Sequence, residues 1–118
     1  MYSDSQLFRR AYAYATRSYD QVAILSAKHG HLLPNDWIEP YDLTLKNLTK
    51  KQRMMWAERV VKQMREKLNL DSLRDVYFHC GKSYREFLIP KLETYGIACH
   101  VPLRGLRYGE QLAWYDRH

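Results

Sequence analysis

Four apolar residues in succession, Val22-Ala23-Ile24-Leu25, run directly into a twenty-residue stretch, Ser26 to Leu45, that has little periodicity. An unalternating apolar run with β-branched Val22 and Ile24 suits a strand buried on both faces, as in a parallel sheet. A segment of about 20 residues without periodicity inside a small domain is usually either functional or disordered. This one carries Leu32, Leu33, Trp37, Ile38, Leu43 and Leu45, too many large apolar groups for disorder. It reads as an ordered loop that forms much of a site.

The rest of the chain alternates. Leu7, Phe8, Ala11, Tyr12 and Ala15 recur at helical spacing and predict a helix over 4–17. The apolar run predicts a strand over 20–27. After the loop, Thr49 is an N-cap candidate for a second helix with Met54, Ala57, Val60, Val61, Met64 and Leu68 in one stripe, widened by Trp56 and ending near Asn69. A second strand is expected over 75–80. A third helix is expected from Ser83, kinked near Ile89 by Pro90 and closed by Gly96. A third strand over 97–101 and a terminal helix over 108–117 complete the order. Strands alternating with helices predict an α/β fold with right-handed crossovers. The expectation is one small three-layer α/β/α domain over residues 1–118 with a short, mostly parallel sheet.

The chain has 118 residues and a net charge of +6, which favours an anionic partner: nucleic acid first, a nucleotide second. The alternative is an ordinary basic face. Ten Tyr and three Trp against three Phe suit half-wet surfaces, for base stacking or for protein contact. No apolar stretch approaches the roughly 20 residues of a membrane span, so no membrane partner is expected. Without a visible signal peptide, two cysteines are most simply free thiols in a cytoplasm, bacterial or that of a host.

In an open parallel sheet, ligands bind beyond the carboxyl ends of the strands. The three expected strands end in Lys28-His29-Gly30-His31, Gly81-Lys82-Ser83 and Arg104-Gly105. A small flexible residue next to a cation at each strand end suits an oxyanion or phosphate approached closely by backbone. Ser26, Lys28, Gly30, Tyr41, Gly81, Lys82, Ser83, Arg104 and Gly105 are therefore the candidate ligand- and phosphate-binding residues. A nucleoside-triphosphatase P-loop is excluded, because Val76 stands where its first glycine belongs. His29, His31, His79, Cys80, Cys99 and His100 are able metal ligands. However, His79-Cys80 and Cys99-His100 are strand neighbours pointing to opposite faces, so no metal and no cofactor is expected. Within the long loop, Glu39 or Asp42 beside His29 forms a candidate acid–base set. The alternative is that Asp36 and Asp42 cap turns and Glu39 pairs with Lys28.

The segments Leu25-Ser26-Ala27-Lys28-His29-Gly30, Leu33 with Pro34, and Ile38-Glu39-Pro40-Tyr41-Asp42-Leu43-Thr44-Leu45 resemble the core motif of an uncharacterised bacterial and phage domain family related to the peroxide-stress protein YaaA. Tyr2-Ser3, Leu7-Phe8, Trp56, Gly81-x-x-Tyr84 and the run from Pro102 to Trp114 agree with it, so the resemblance spans nearly the whole chain. The resemblance implies a DNA-directed protein with a fold like that of uracil-DNA glycosylases. On that footing Lys28 and Arg104 would bind phosphate, and Tyr41 or Trp37 would stack on a base. Asp42 or Glu39 would position water or stabilise an oxocarbenium-like sugar. Relatives carry an earlier strand, central to the sheet, before the segment at Tyr2-Ser3. Its lack here implies an exposed sheet edge able to pair with another chain.

The expected function is thus nucleic-acid binding, with DNA foremost, by a base-excising N-glycosidase or a degenerate version of one. The alternative is a non-enzymatic interaction module, such as a phage-encoded modulator, which forms a homo-oligomer or engages a partner through the unpaired edge.

Overall fold

The computed structural model describes residues 6–26, 30–32 and 48–118. Helix α1 spans Gln6–Ser18. Its buried residues, Ala11 and Ala15, lie four apart and so share one face. Ala11 packs with Leu103 and with Tyr115 of the terminal helix α5, Tyr108–Arg117. A surface ion pair, Arg10 Nε to Asp116 Oδ1 at 2.9 Å, joins the same two helices.

Strand β1, Ile24–Ser26, pairs antiparallel with β2, Gly30–Leu32, in the register Ile24↔Leu32, Leu25↔His31, Ser26↔Gly30. Helix α2, Lys50–Lys67, starts where its chemistry requires. Gln52 N–H donates to Thr49 Oγ1 at 3.1 Å, and Thr49 N–H donates to Gln52 Oε1 at 2.9 Å. This reciprocal box satisfies two backbone donors near the helix start that would otherwise lack partners. Trp56, Ala57, Val60, Val61 and Met64 form the buried stripe, whereas Met54, expected within it, is 43% exposed. Strand β2 is clamped to α2 from both backbone directions: His31 N–H donates to Gln63 Oε1 at 2.8 Å, and Lys67 Nζ donates to His31 O at 2.6 Å.

A 3-10 turn, Leu70–Ser72, leads to β3, Asp75–Tyr77. Short helices α3, Lys82–Arg85, and α4, Leu88–Glu93, follow, then β4, Ala98–His100. The third helix of the sequence reading is thus two helices. The break falls at Glu86-Phe87, earlier than expected. Pro90 sits in the first turn of α4, where a missing N–H breaks no helical hydrogen bond. Gly96 closes α4 at φ +78°.

Strands β3 and β4 are parallel, in the register Asp75↔Ala98, Val76↔Cys99, Tyr77↔His100. Their alternation separates two layers. Val76, Phe78 and Cys80 join the main core with Trp56, Val60, Leu88 and Leu92 of α2 and α4. Tyr77 and His79 face the ring cluster of α1 and α5, Tyr14, Trp114 and Tyr115 among them. This is a small α/β domain with helices on both sides of a parallel pair. Among the described residues, the strands pair two by two. The expectation that β1 joins β3 and β4 in one three-stranded parallel sheet is corrected. Part of the stretch expected to be loop, Gly30–Leu32, is a strand and takes β1 as its partner.

Candidate functional site

Between the two strand pairs lies a cleft of about 1120 Å³. Leu7 and Phe8 of α1 line it, as do Ile24 and Leu25 of β1, Val76 of β3 and Leu88 of α4. A volume of this size admits a drug-sized or nucleoside-sized ligand. A smaller, more open depression of about 430 Å³ crosses the end of α2 beside Tyr95, and its lining brings together no comparable chemistry.

The polar part of the cleft is a hydrogen-bonded chain of three rings. Tyr19 Oη lies 2.7 Å from His79 Nε2, and Tyr115 Oη lies 2.7 Å from His79 Nδ1. All three residues line the cleft. Burial lowers the pKa of His79, so the imidazole stays neutral at pH 7. Burial, with Tyr14 and Tyr77 close by, pushes the Tyr19 phenol up to about 12. Tyr115 is raised further by burial and by Tyr19, Tyr14 and Cys80. Three groups held in their uncharged forms are arranged to exchange hydrogen bonds rather than to carry charge.

Beside this chain, the Tyr77 ring stacks with Tyr19, at 4.9 Å, and with His100, at 4.5 Å. His100 Nε2 meets Asp75 Oδ1 at 2.8 Å. Tyr77 is 44% exposed, so this column of rings is open to solvent. Lys82 and Arg85 supply cationic groups to the cleft, and Arg85 Nη1 also donates to Cys80 O at 3.1 Å, tying α3 to the end of β3.

Of the residues singled out in the sequence, Gly81, Lys82 and Gly105 line this one cleft. They follow β3 and β4, whose parallel pairing brings their carboxyl ends together. Ser83 is half-buried in the first turn of α3, and Arg104 is exposed; neither lines the cleft. Helix α3 has four residues, too few for much of a macrodipole, so the expected anion site at its N-terminus is weak. Gly30 begins β2 against α2 rather than lining the cleft. Ser26 contributes its backbone to β1. Lys28, His29, Glu39, Tyr41 and Asp42 lie outside the described residues.

Among the described residues, no group of three or more His, Cys, Asp or Glu is placed to hold a metal ion. Cys80 and Cys99 are free thiols. No helix among them is long and apolar enough to cross a membrane.

A family model described as a family of unknown function, DUF6884, matches residues 1–117. The chain belongs to the DUF6884 family. No curated protein and no solved structure matches it. In this DUF6884 chain, sequence reasoning missed the ring cluster, because its members are 60 and 36 residues apart. The available signal was the excess of Tyr over Phe, since a buried Tyr needs a partner for its hydroxyl.

Proposed function

We propose that this domain is nucleic-acid-directed, related to YaaA, and receives an unstacked base in the cleft between its strand pairs. The observation that carries this reading is the junction of three features: the Tyr19–Tyr77–His100 ring column, the Tyr19–His79–Tyr115 chain, and Lys82 with Arg85 on the same cleft. Rings accept any base by stacking, and cations hold the backbone. The net charge of +6 supports the same partner. On this reading base excision, if the domain performs it, falls to Asp42, Glu39 and His29. The test is binding of a fluorescent single-stranded oligonucleotide across a salt series. Affinity should fall steeply with salt, Lys82→Ala should reduce the salt slope by about 1, and Tyr77→Ala should weaken binding at every salt. No binding at low salt removes the reading.

A second reading, an interaction module, has its own support. Among the described residues, β1 pairs only with β2 and β3 only with β4, yet β1 and β3 both line the cleft. An extended segment of a partner protein entering there would bridge the two pairs into one sheet. Hydrogen exchange reads this directly: a partner bound in this way slows exchange of the β1 and β3 amides, and one bound elsewhere does not.

A further inference from the structure

Tyr19, His79 and Tyr115 hold three polar hydrogens between them when the imidazole is neutral, and their two mutual hydrogen bonds use two. One donor is always left over, and the His79 tautomer decides where. With the proton on Nε2, His79 donates to Tyr19 and accepts from Tyr115. The spare hydrogen is then on Tyr19, which is only half-buried. With the proton on Nδ1, His79 donates to Tyr115 and accepts from Tyr19. The spare hydrogen is then on Tyr115, which is 7% exposed and lines the cleft.

A buried donor without an acceptor is costly. The ligand-free protein therefore holds the Nε2–H tautomer, with the spare hydrogen on half-buried Tyr19 rather than on Tyr115. A ligand that offers an acceptor to Tyr115 reverses the preference. The surroundings restrict what that ligand is. Ala11 and Leu103 pack directly on Tyr115, with Leu7 and Leu106 next to them, so a charged ligand would lose its hydration there. The Tyr19 and Tyr84 rings elsewhere on the lining favour a flat one.

We propose that the Tyr115 hydroxyl, backed by His79 and Tyr19, is the donor with which the cleft recognises a neutral planar heterocycle carrying a carbonyl oxygen or an unprotonated ring nitrogen, and that binding switches the His79 tautomer. This rests on the cleft being a ligand site and names the group that reads the ligand.

The experiment is long-range proton–nitrogen NMR of the full chain with labelled histidine, before and after adding uracil, cytosine, adenine or inorganic phosphate. The free protein should show His79 as the Nε2–H tautomer. At least one base should convert it to Nδ1–H, phosphate should not, and Tyr115→Phe should abolish the conversion and weaken that base about tenfold. The wild-type spectra carry the test should the variant fail to fold. Conversion by phosphate, binding of a base without conversion, or no effect from any base each overturns the proposal. The oligonucleotide assay is read separately, so DNA binding can survive its loss.

Discussion

Gly30 and Gln63 are in contact at the point where β2 crosses α2, and a β-carbon on Gly30 would run into Gln63 Oε1. That oxygen is held in place by the His31 N–H at 2.8 Å, and Gly30 itself has φ +78°, a region that side chains disfavour. Gly30→Ala should therefore cost about 1–3 kcal/mol, from backbone strain together with disturbance of the Gln63 contact. Urea unfolding should show a lower midpoint with an unchanged slope. An unchanged midpoint would mean that β2 is not seated on α2 as described. The same geometry gives Gly30 a structural reason to be glycine, apart from any part in holding a phosphate.

Thr49 is exposed, so replacing it alters the cap and little packing. Thr49→Ala should destabilise by about 1 kcal/mol, and Thr49→Ser by much less, because serine restores the oxygen that Gln52 N–H requires. Thermal unfolding of the two variants side by side separates the cap from a general surface effect. Equal losses in both would argue against the cap.

What was legible in the sequence was whatever depended on local chemistry. Thr49 caps α2, and α5 covers Tyr108–Arg117 as its pattern indicated. Gly96 turns the chain after α4. His79 and Cys80 lie just past β3, shorter than the strand expected over 75–80, yet keep the opposite orientations expected of neighbours there: the imidazole faces the tyrosines and the thiol faces the core. What was not legible depended on partners distant in the chain. Val22 to Leu25 could not reveal whether its edge pairs parallel with β3 or antiparallel with Gly30–Leu32, because both arrangements bury an apolar run. Pro90 signalled a break but not its side, since proline is tolerated in the first turn of a new helix. The Gly81, Lys82 and Gly105 part of the cleft was readable from strand ends. The Tyr19–His79–Tyr115 part has no local spacing to read.

The shifted groups fix how stability depends on pH. His79 has a folded pKa below its unfolded value of 6.5. The unfolded chain thus takes up the proton first, and this stabilisation is present above pH 6.5 and lost as pH falls through the folded value. Tyr19 has the opposite sense. Its phenol titrates near 12 folded against 10.0 unfolded, so its contribution holds below pH 10 and disappears between 10 and 12. Urea unfolding across this range should show stability falling on both sides of a plateau. Tyr19→Phe should make the alkaline limb shallower between pH 10 and 12, where Cys80 and Tyr115 also contribute, and leave the acid limb; an unchanged alkaline limb would count against the Tyr19 assignment.

Cys80 and Cys99 are both partly buried thiols, but burial acts more strongly on Cys80. Packing around Cys80 pushes its thiol up to about 12 from 9.0, although Arg85 pulls the other way. Cys99 is also raised, by burial and by Glu93, but its shift is the smaller one. The thiolate is the reactive form, and a rise from 9.0 to about 12 leaves about a thousandfold less of it near pH 8. Iodoacetamide at pH 8 should therefore alkylate Cys99 first in the native protein, and Cys80 only slowly. In denaturant, both should react at similar rates. Mass spectrometry of the peptides containing each cysteine measures the order. Labelling of Cys80 ahead of Cys99 in the native state would show that the end of β3 opens before β4, and that Arg85, which donates to Cys80 O at 3.1 Å, does not hold it shut.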